Sequence, residues 1–378
     1  MNRTAAADRA KEILSGYAQR TGLAPAGAAP VRYLWTDAFA VCTYLGLYET
    51  TGEPACRARA LVLVEQVHAV LGRHRGDDGR TGWISGLPEN EGRVRPTAGG
   101  LRIGKPLPER RPGEPFDDRL EWDRDGQYYH YLTKWAHALC RASRATGDPV
   151  YASWAAGLVK AVHPAFAPGP RRMYWKMSID LSRPLVPSMG QHDPLDGFVT
   201  CAEVQAASGA DLEHEMSDLA ALLGSTTLAT DDPLGTGGLL FDAVRIAELA
   251  SLGKPAGVGL LEPVLAAARA GVAAFGRSGT LRYPPEHRLA FRELGLALGL
   301  RGAPRLRAAI EAAPAAHDNP EALLEAVRAL ESSAPLADAI EGFWLDEGHR
   351  ASPTWTDHRE INEVTLAAAL APDGFLAV

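Results

Sequence analysis

Four stretches of this chain each crowd carboxylates, aromatic rings and basic groups together: RYLWTD (32–37), LEWDRDGQYYH (120–130), MYWKMSIDLSRP running on to SMGQHDPLD (173–196), and SPTWTDHREINE (352–363). Each lies where a loop turns into a helix. A helix start offers unpaired N–H groups and partial positive charge, which attract carboxylates and anionic ligands. The mixture suits a sugar, whose ring faces stack on aromatic side chains while acids and bases bind hydroxyls and move protons. Candidate catalytic groups are Asp37, Asp125 and Asp193, together with His192 and His358, because imidazole titrates near neutral pH.

The same stretches supply candidate substrate contacts. Trp35, Trp122, Tyr128 and His130 precede or open the first two helices, and Trp355 and Glu360 flank His358. Trp175 and Asp196 bracket the third junction. Lys176 and Arg183, in a loop with Asp180, would either clamp an anion or pair within that loop; arginine presents a planar fork for the first role. Competing structural roles are specific. Asp193 before Pro194 reads as an N-cap with Pro at the first helical position, and Asp196 then stands where a capping box needs its acid. Asp37 and Asp125 read as first-turn acids meeting the helix dipole. Capping and catalysis are compatible, since a cap at a pocket mouth is fixed in position.

His130, Lys134, His137 and Arg141 recur at helical spacing, alongside an apolar stripe of Tyr128, Leu132, Trp135 and Leu139. His137 and Arg141 lie far from the helix start and are expected to face a partner helix. His192, Asp193, His358 and Glu360 could meet at a metal, but no local spacing resembles HExxH, so no metal is expected and no cofactor is implied.

GGLRIGKP (99–106) comes within one residue of a phosphate-binding loop. That loop needs a Ser or Thr after its Lys and a helix beyond; here Pro106, Leu107 and Pro108 follow, and no apolar strand pattern precedes. The segment reads instead as a turn-rich part of a lid, with Lys105 and Arg102 as contacts for an anionic substrate.

A chain of 378 residues, 46% hydrophobic, can bury a large core. A net charge of -7 argues against general nucleic-acid binding, which needs a basic face. No stretch approaches the ~20 uninterrupted apolar residues of a membrane span. The N-terminal twenty residues mix charges through an amphipathic pattern, so a cytoplasmic location with no membrane partner is expected. Cys42, Cys56, Cys140 and Cys201 form no CxxC pair and are expected to be buried free thiols.

Periodicity is helical almost throughout, and the helices come in pairs. WTDAFAVCTYLGLYETTGE (helix from about 36 to 50) leads into PACRARALVLVEQVHAVLGRH (54–74); DRDGQYYHYLTKWAHALCRASRATGD stops at Gly147 and leads into PVYASWAAGLVKAVHPAF. DPLDGFVTCAEVQAASG pairs with ADLEHEMSDLAALLGSTTLA, and GTGGLLFDAVRIAELASLG with AGVGLLEPVLAAARAGVAAFG. EHRLAFRELGLALGLRG and HREINEVTLAAALA bring the first members to six, with partners that include 304–330 and the N-terminal helix. Long irregular stretches, 76–124, 168–191 and 346–357, carry Trp83, Trp122, Trp175 and Trp355, which favours ordered loops over disorder.

The two hairpins joined by TGE and TGD resemble those of six-hairpin, glycosidase-like (α/α)6-toroid enzymes, among them unsaturated glucuronyl hydrolases, other inverting glycosidases and N-acylglucosamine 2-epimerases. The resemblance implies an all-α fold, a single (α/α)6-barrel domain over 1–378, and a small-molecule substrate bound where the inner helices begin, under loops gathered over one mouth. It implies glycosidase-like hydrolysis of a small sugar, neutral or anionic, by paired carboxylates. The alternatives are a sugar epimerase or isomerase exchanging a proton between His192 and His358, or a toroid that cyclises or binds a small metabolite. The scattered cysteines argue against the zinc-dependent, lanthionine-cyclase form of the last. The sequence sets no oligomeric state.

Overall fold

The structure, a computed structural model, describes residues 2–25, 29–169 and 171–378. Two compact units emerge, the first of Ala18–Val41 and Pro54–Thr226, the second of Met1–Tyr17, Cys42–Glu53 and Thr227–Val378. Helices α1 (Arg3–Arg20) and α2 (Leu34–Thr51) contribute residues to both; α3 (Pro54–Leu71) opens the remainder of the first unit.

The first unit continues through α4 (Glu89–Val94), α5 (Asp118–Asp123), β1 (Gln127–Tyr128), α6 (Tyr129–Thr146), α7 (Pro149–Phe166), β2 (Lys176–Met177), β3 (Pro184–Val186), α8 (Asp193–Ser208) and α9 (Glu213–Leu223). The α6–α7 hairpin follows from its sequence. Gly147 takes φ 74°, a left-handed conformation that closes α6; the Asp148 side chain then accepts from the Val150 N–H at 2.9 Å, with Pro149 filling the first turn of α7. Helix α6 packs on both α7 and α8, and Leu132, Trp135, Ala136 and Leu139 are buried among them.

The described residues of the stretches 76–124 and 168–191 are ordered, as their tryptophans suggest. They carry the two short helices α4 and α5 and two strands of a three-stranded antiparallel sheet, β1–β2–β3, in which Gln127 pairs with Met177 and Lys176 with Val186. Period-2 patterning could not announce strands of two or three residues.

The second unit adds α10 (Pro233–Ser251), α11 (Leu261–Ser278), α12 (Ala290–Arg301), α13 (Ala303–Ala312), α14 (Pro320–Glu331), α15 (Ala334–Leu345), α16 (Pro353–Thr356), α17 (Arg359–Leu370) and α18 (Asp373–Leu376). Helix α10 packs on α11, α12 and α13, α12 on α15 and α17, and α14 on α11 and α13. Helix α15 is an addition to the expected pairs. Residues Val258–Arg282 reach a mean hydropathy of 1.5, enough by length and composition to cross a membrane, where the sequence reading expects no such stretch. In this unit one face of α11, with Leu261, Val264, Leu265, Ala268 and Val272, is buried by packing against α10 and α14. The four cysteines are buried and free, as expected.

Candidate functional site

In the first unit the two long loops are fastened to each other. Arg80 donates to Asp78, to Glu109 and, from the other loop, to Asp180 (2.8 Å), while Glu109 accepts the Ile179 N–H at 2.6 Å. The Gln127 side chain spans them, accepting from the Leu101 N–H and donating to the Gly99 and Ile179 carbonyls. Lys176 and Arg183 take the internal-pairing role. Lys176 is fully buried, its Nζ donating to the Glu121 carboxylate (2.9 Å) and to the carbonyls of Glu121 and Arg124; Arg183 donates to the Arg110 carbonyl. Lys176 is closed off as an anion clamp, its three donors all taken inside the loops, whereas Arg183 spends one donor on a backbone carbonyl and forms no ion pair among the described residues.

GGLRIGKP is not lid surface. Leu101 and Ile103 are fully buried, and the Ile103 backbone bonds Gly126 on one side and Leu34 on the other, so the segment ties the approach to β1 to the start of α2. Gly104 is required there: at φ 92° a Cβ would stand 2.1 Å from the Arg32 carbonyl oxygen. Its N–H donates to Asp125.

Asp125 precedes α6 by four residues, outside the first turn expected for it. It is 0% exposed and accepts four hydrogen bonds, from the Gly104 and Gly126 N–H groups (3.0 Å each) and from Arg102 (2.6 Å) and Arg75 (3.1 Å). Arg102, expected to meet substrate, is spent on this carboxylate and on the Arg73 and Val70 carbonyls. Asp37 does lie in the first turn of α2; it is also 0% exposed, accepts the Tyr33 N–H at 3.0 Å and sits 3.5 Å from Arg32. Both aspartates are enclosed supports of the backbone that leads into a helix.

The first turns of α6 and α8 face each other differently. His130, Thr133 and Lys134 on α6 meet Asp193 and Asp196 on α8. Asp196 reaches across the helix interface: one carboxylate oxygen accepts from Thr133 Oγ1 (2.5 Å) and the other from Lys134 Nζ (2.6 Å). Asp193 is the first residue of α8, with His192 at the cap position, and its carboxylate reaches back to accept the Gly190 N–H at 3.1 Å. That is its one hydrogen bond among the described residues. Burial, and then the negative charge of Asp196, push the Asp193 carboxyl up to about 7, against the smaller pull of the Gly190 N–H and Lys134. Deeper along the same interface His137 pairs with Glu203 at 2.7 Å, the partner-facing role expected of it.

Beside these carboxylates stands a wall of rings. Tyr128 is buried between His130 (centroids 5.6 Å apart) and Trp175 (5.3 Å), and Trp122, half exposed, lies 6.5 Å from Trp175. Trp35 contacts Tyr131 at 5.4 Å, and the Tyr131 and Tyr33 hydroxyls are 2.5 Å apart. His130 accepts on Nδ1 from the Trp175 indole N–H at 3.2 Å. Burial first, then Lys134, lower its pKa to about 3, so the ring is neutral with its proton on Nε2. It is a hydrogen-bonding element of the wall rather than a group titrating near neutrality. Sequence reasoning overlooked Tyr33, Tyr131, Thr133 and Lys134 here; the RYLWTD and YHYLTK wording was the available signal.

The remaining candidates lie in the second unit. Trp355 is 2% exposed, stacked on Trp344 (5.5 Å) with Arg350 over its ring, a core position closed to ligand. His358 is exposed at the start of α17, edge-on to Phe291, and Glu360, two residues on, is half-buried in the first turn. Among the described residues no cluster of three or more His, Cys, Asp or Glu side chains is arranged to hold a metal ion.

The helices and their pairing define an all-α fold of the (α/α)6-toroid class, 66% helical. The chain is similar in fold to a GH76 α-mannanase from Bacteroides thetaiotaomicron, at 12% identity and a TM-score of 0.54, over 100% of this chain and 96% of that one. A cellobiose 2-epimerase from Spirochaeta thermophila matches at 12% identity and a TM-score of 0.45 over 82% of this chain and 87% of its own, and a sugar epimerase from a ruminal bacterium at 11% and 0.43, over 80% and 75%. No protein-family model and no curated protein matches the sequence.

Proposed function

We propose that the chain is a carbohydrate-active enzyme that hydrolyses a small sugar, with Asp193 as the general acid. The supporting observation is a buried carboxyl held protonated to about neutral pH, with one hydrogen bond, next to an ionised carboxylate and an aromatic wall. Asp193 donates its proton to the leaving glycosidic oxygen as that carbon–oxygen bond breaks; water adds to the anomeric carbon and releases its proton to solvent, from which Asp193 is reprotonated. Asp196, its oxygens occupied by Thr133 and Lys134, holds that proton on Asp193 and opposes the positive charge that develops on the sugar ring. The fold shared with an α-mannanase makes α-mannooligosaccharides the first substrates to try.

The test is turnover in D2O of a panel of α-mannosides and other short oligosaccharides by the wild-type chain, Asp193→Asn and Asp37→Asn. New reducing ends from the wild type and Asp37→Asn, absent with Asp193→Asn, are expected. Deuterium at carbon in recovered sugar, lost on replacing His192 or His358, would overturn hydrolysis in favour of epimerisation.

A further inference from the structure

Around the aromatic wall of the first unit, the buried cations are matched. Lys134 has Asp196, Lys176 has Glu121, Arg102 has Asp125, Arg110 has Glu121 and Arg124 has Glu114. Lys105 is the exception: half-buried, it forms no hydrogen bond or ion pair through Nζ with the described residues. Its ammonium instead lies 5.4 Å from the Tyr33 ring centroid and 5.0 Å from that of Trp122. Ring faces attract a cation but supply no hydrogen-bond acceptor, so three donors stay unmet at the edge of a half-exposed indole.

The backbone that carries the amine is held in place. Arg75 donates to the carbonyls of Lys105 (2.6 Å) and Pro106 (2.8 Å), which immobilises the backbone beneath it, and Gly104 before it is locked against Arg32. Burial pulls the Lys105 ammonium below the ordinary lysine range, a shift that a bound anion would reverse. Asp123, exposed on α5, is the leading opposite charge, yet it does not reach Lys105 as an ion pair. An unpaired, preorganised cation beside a stacking platform is a complement to a ring that carries negative charge.

Resting on the carbohydrate reading above, we propose that Lys105 selects sugars bearing an oxyanion: a ring stacked on Trp122 places a carboxylate, or a sulfate or phosphate ester, against Nζ. The experiment is calorimetric titration of the full chain with D-glucuronate, D-glucose, glucose 6-phosphate and acetate, for wild type, Lys105→Gln and Lys105→Arg, each variant first shown to melt like wild type without ligand. Wild type is expected to bind the two anionic sugars roughly tenfold more tightly than glucose, as fits one charge-assisted contact. Lys105→Gln should bring that ratio near one, and Lys105→Arg should keep most of it. The carboxylate and the phosphate arms tell which anion is preferred. A ratio near one in wild type, a ratio that survives Lys105→Gln, or acetate binding as tightly as glucuronate overturns the proposal while glucose binding leaves the carbohydrate reading standing. Failure of all three sugars to bind overturns the Lys105 proposal, and the carbohydrate reading is then decided separately by the oligosaccharide turnover panel.

Discussion

Asp125, at the junction into α6, and Asp193, at the junction into α8, are both buried aspartates, and their surroundings leave them in opposite conditions. Asp125 receives four donors, two of them guanidinium groups. Asp193 receives one backbone N–H and has a carboxylate for a neighbour. Both are buried, so what separates them is the number and charge of the donors each receives, and the sparsely bonded Asp193 is the one pushed up to about 7. Proximity to a helix start does not separate them. An anchored anion gives rigidity to the loops, whereas an under-bonded acid is a proton source at neutral pH.

The sharpest way to break this contrast is to neutralise each in turn. Asp193→Asn is expected to lower turnover by roughly 10²–10⁴, the range for loss of a general acid, with the fold retained because the amide oxygen can still accept the Gly190 N–H. Steady-state rates beside circular dichroism would check it; near-wild-type turnover removes Asp193 from the chemistry. Asp125→Ala should act on stability, costing about 3–5 kcal/mol by leaving the buried Arg102 without its carboxylate and Arg75 with Asp77 alone. Urea unfolding measures it. A midpoint unchanged from wild type would show that the arginines do not depend on Asp125.

The fold was legible where local chemistry is strong. Gly147, Asp148 and Pro149 spell the end of one helix and the start of the next, and Thr51, Gly52 and Glu53 repeat the wording before α3. Strands as short as β2 carry too few residues to show a period, and α15 hides in a stretch with no strong stop before it. The site was legible as composition: the junctions were visible, and Asp193 was among their acids. What was not legible is partnership. Thr133 and Lys134 lie 63 and 62 residues from Asp196, so nothing local distinguishes their contact from the capping box that the spacing of Asp193 and Asp196 suggests. The same holds for Asp125, whose arginines come from 50 and 23 residues away. Roles set by long-range donors cannot be ranked by spacing.

A smaller effect follows from linkage. The Asp193 carboxyl ordinarily titrates near 3.8 and in the fold is pushed up to about 7. Below about pH 4 both folded and unfolded chains hold the proton, and the group adds no penalty. As pH rises from about 4 to 7 the unfolded chain releases it first, so stability falls across that window and levels off above it. The loss is about 2–4 kcal/mol at pH 8. Asp193→Asn removes it, so the variant should gain on wild type in melting temperature between pH 4 and 8. Parallel curves for the two proteins would mean that the carboxyl titrates normally and that the contrast with Asp125 is only one of contacts.

The smallest effect concerns the neighbour. Asp196 raises the proton affinity of Asp193 through its charge, while Lys134 lowers it. Asp196→Asn removes the first influence and, with it, the ion pair between Asp196 and Lys134. Both changes act in one direction, so the alkaline limb of the pH–rate profile, where Asp193 loses its proton, should move to lower pH. Lys134→Gln separates the contributions: on its own the loss of the ammonium moves that limb up. An alkaline limb indifferent to Asp196→Asn would assign the raised proton affinity of Asp193 to burial alone, and Asp196 would then be a helix-to-helix tie of the same kind as His137 with Glu203.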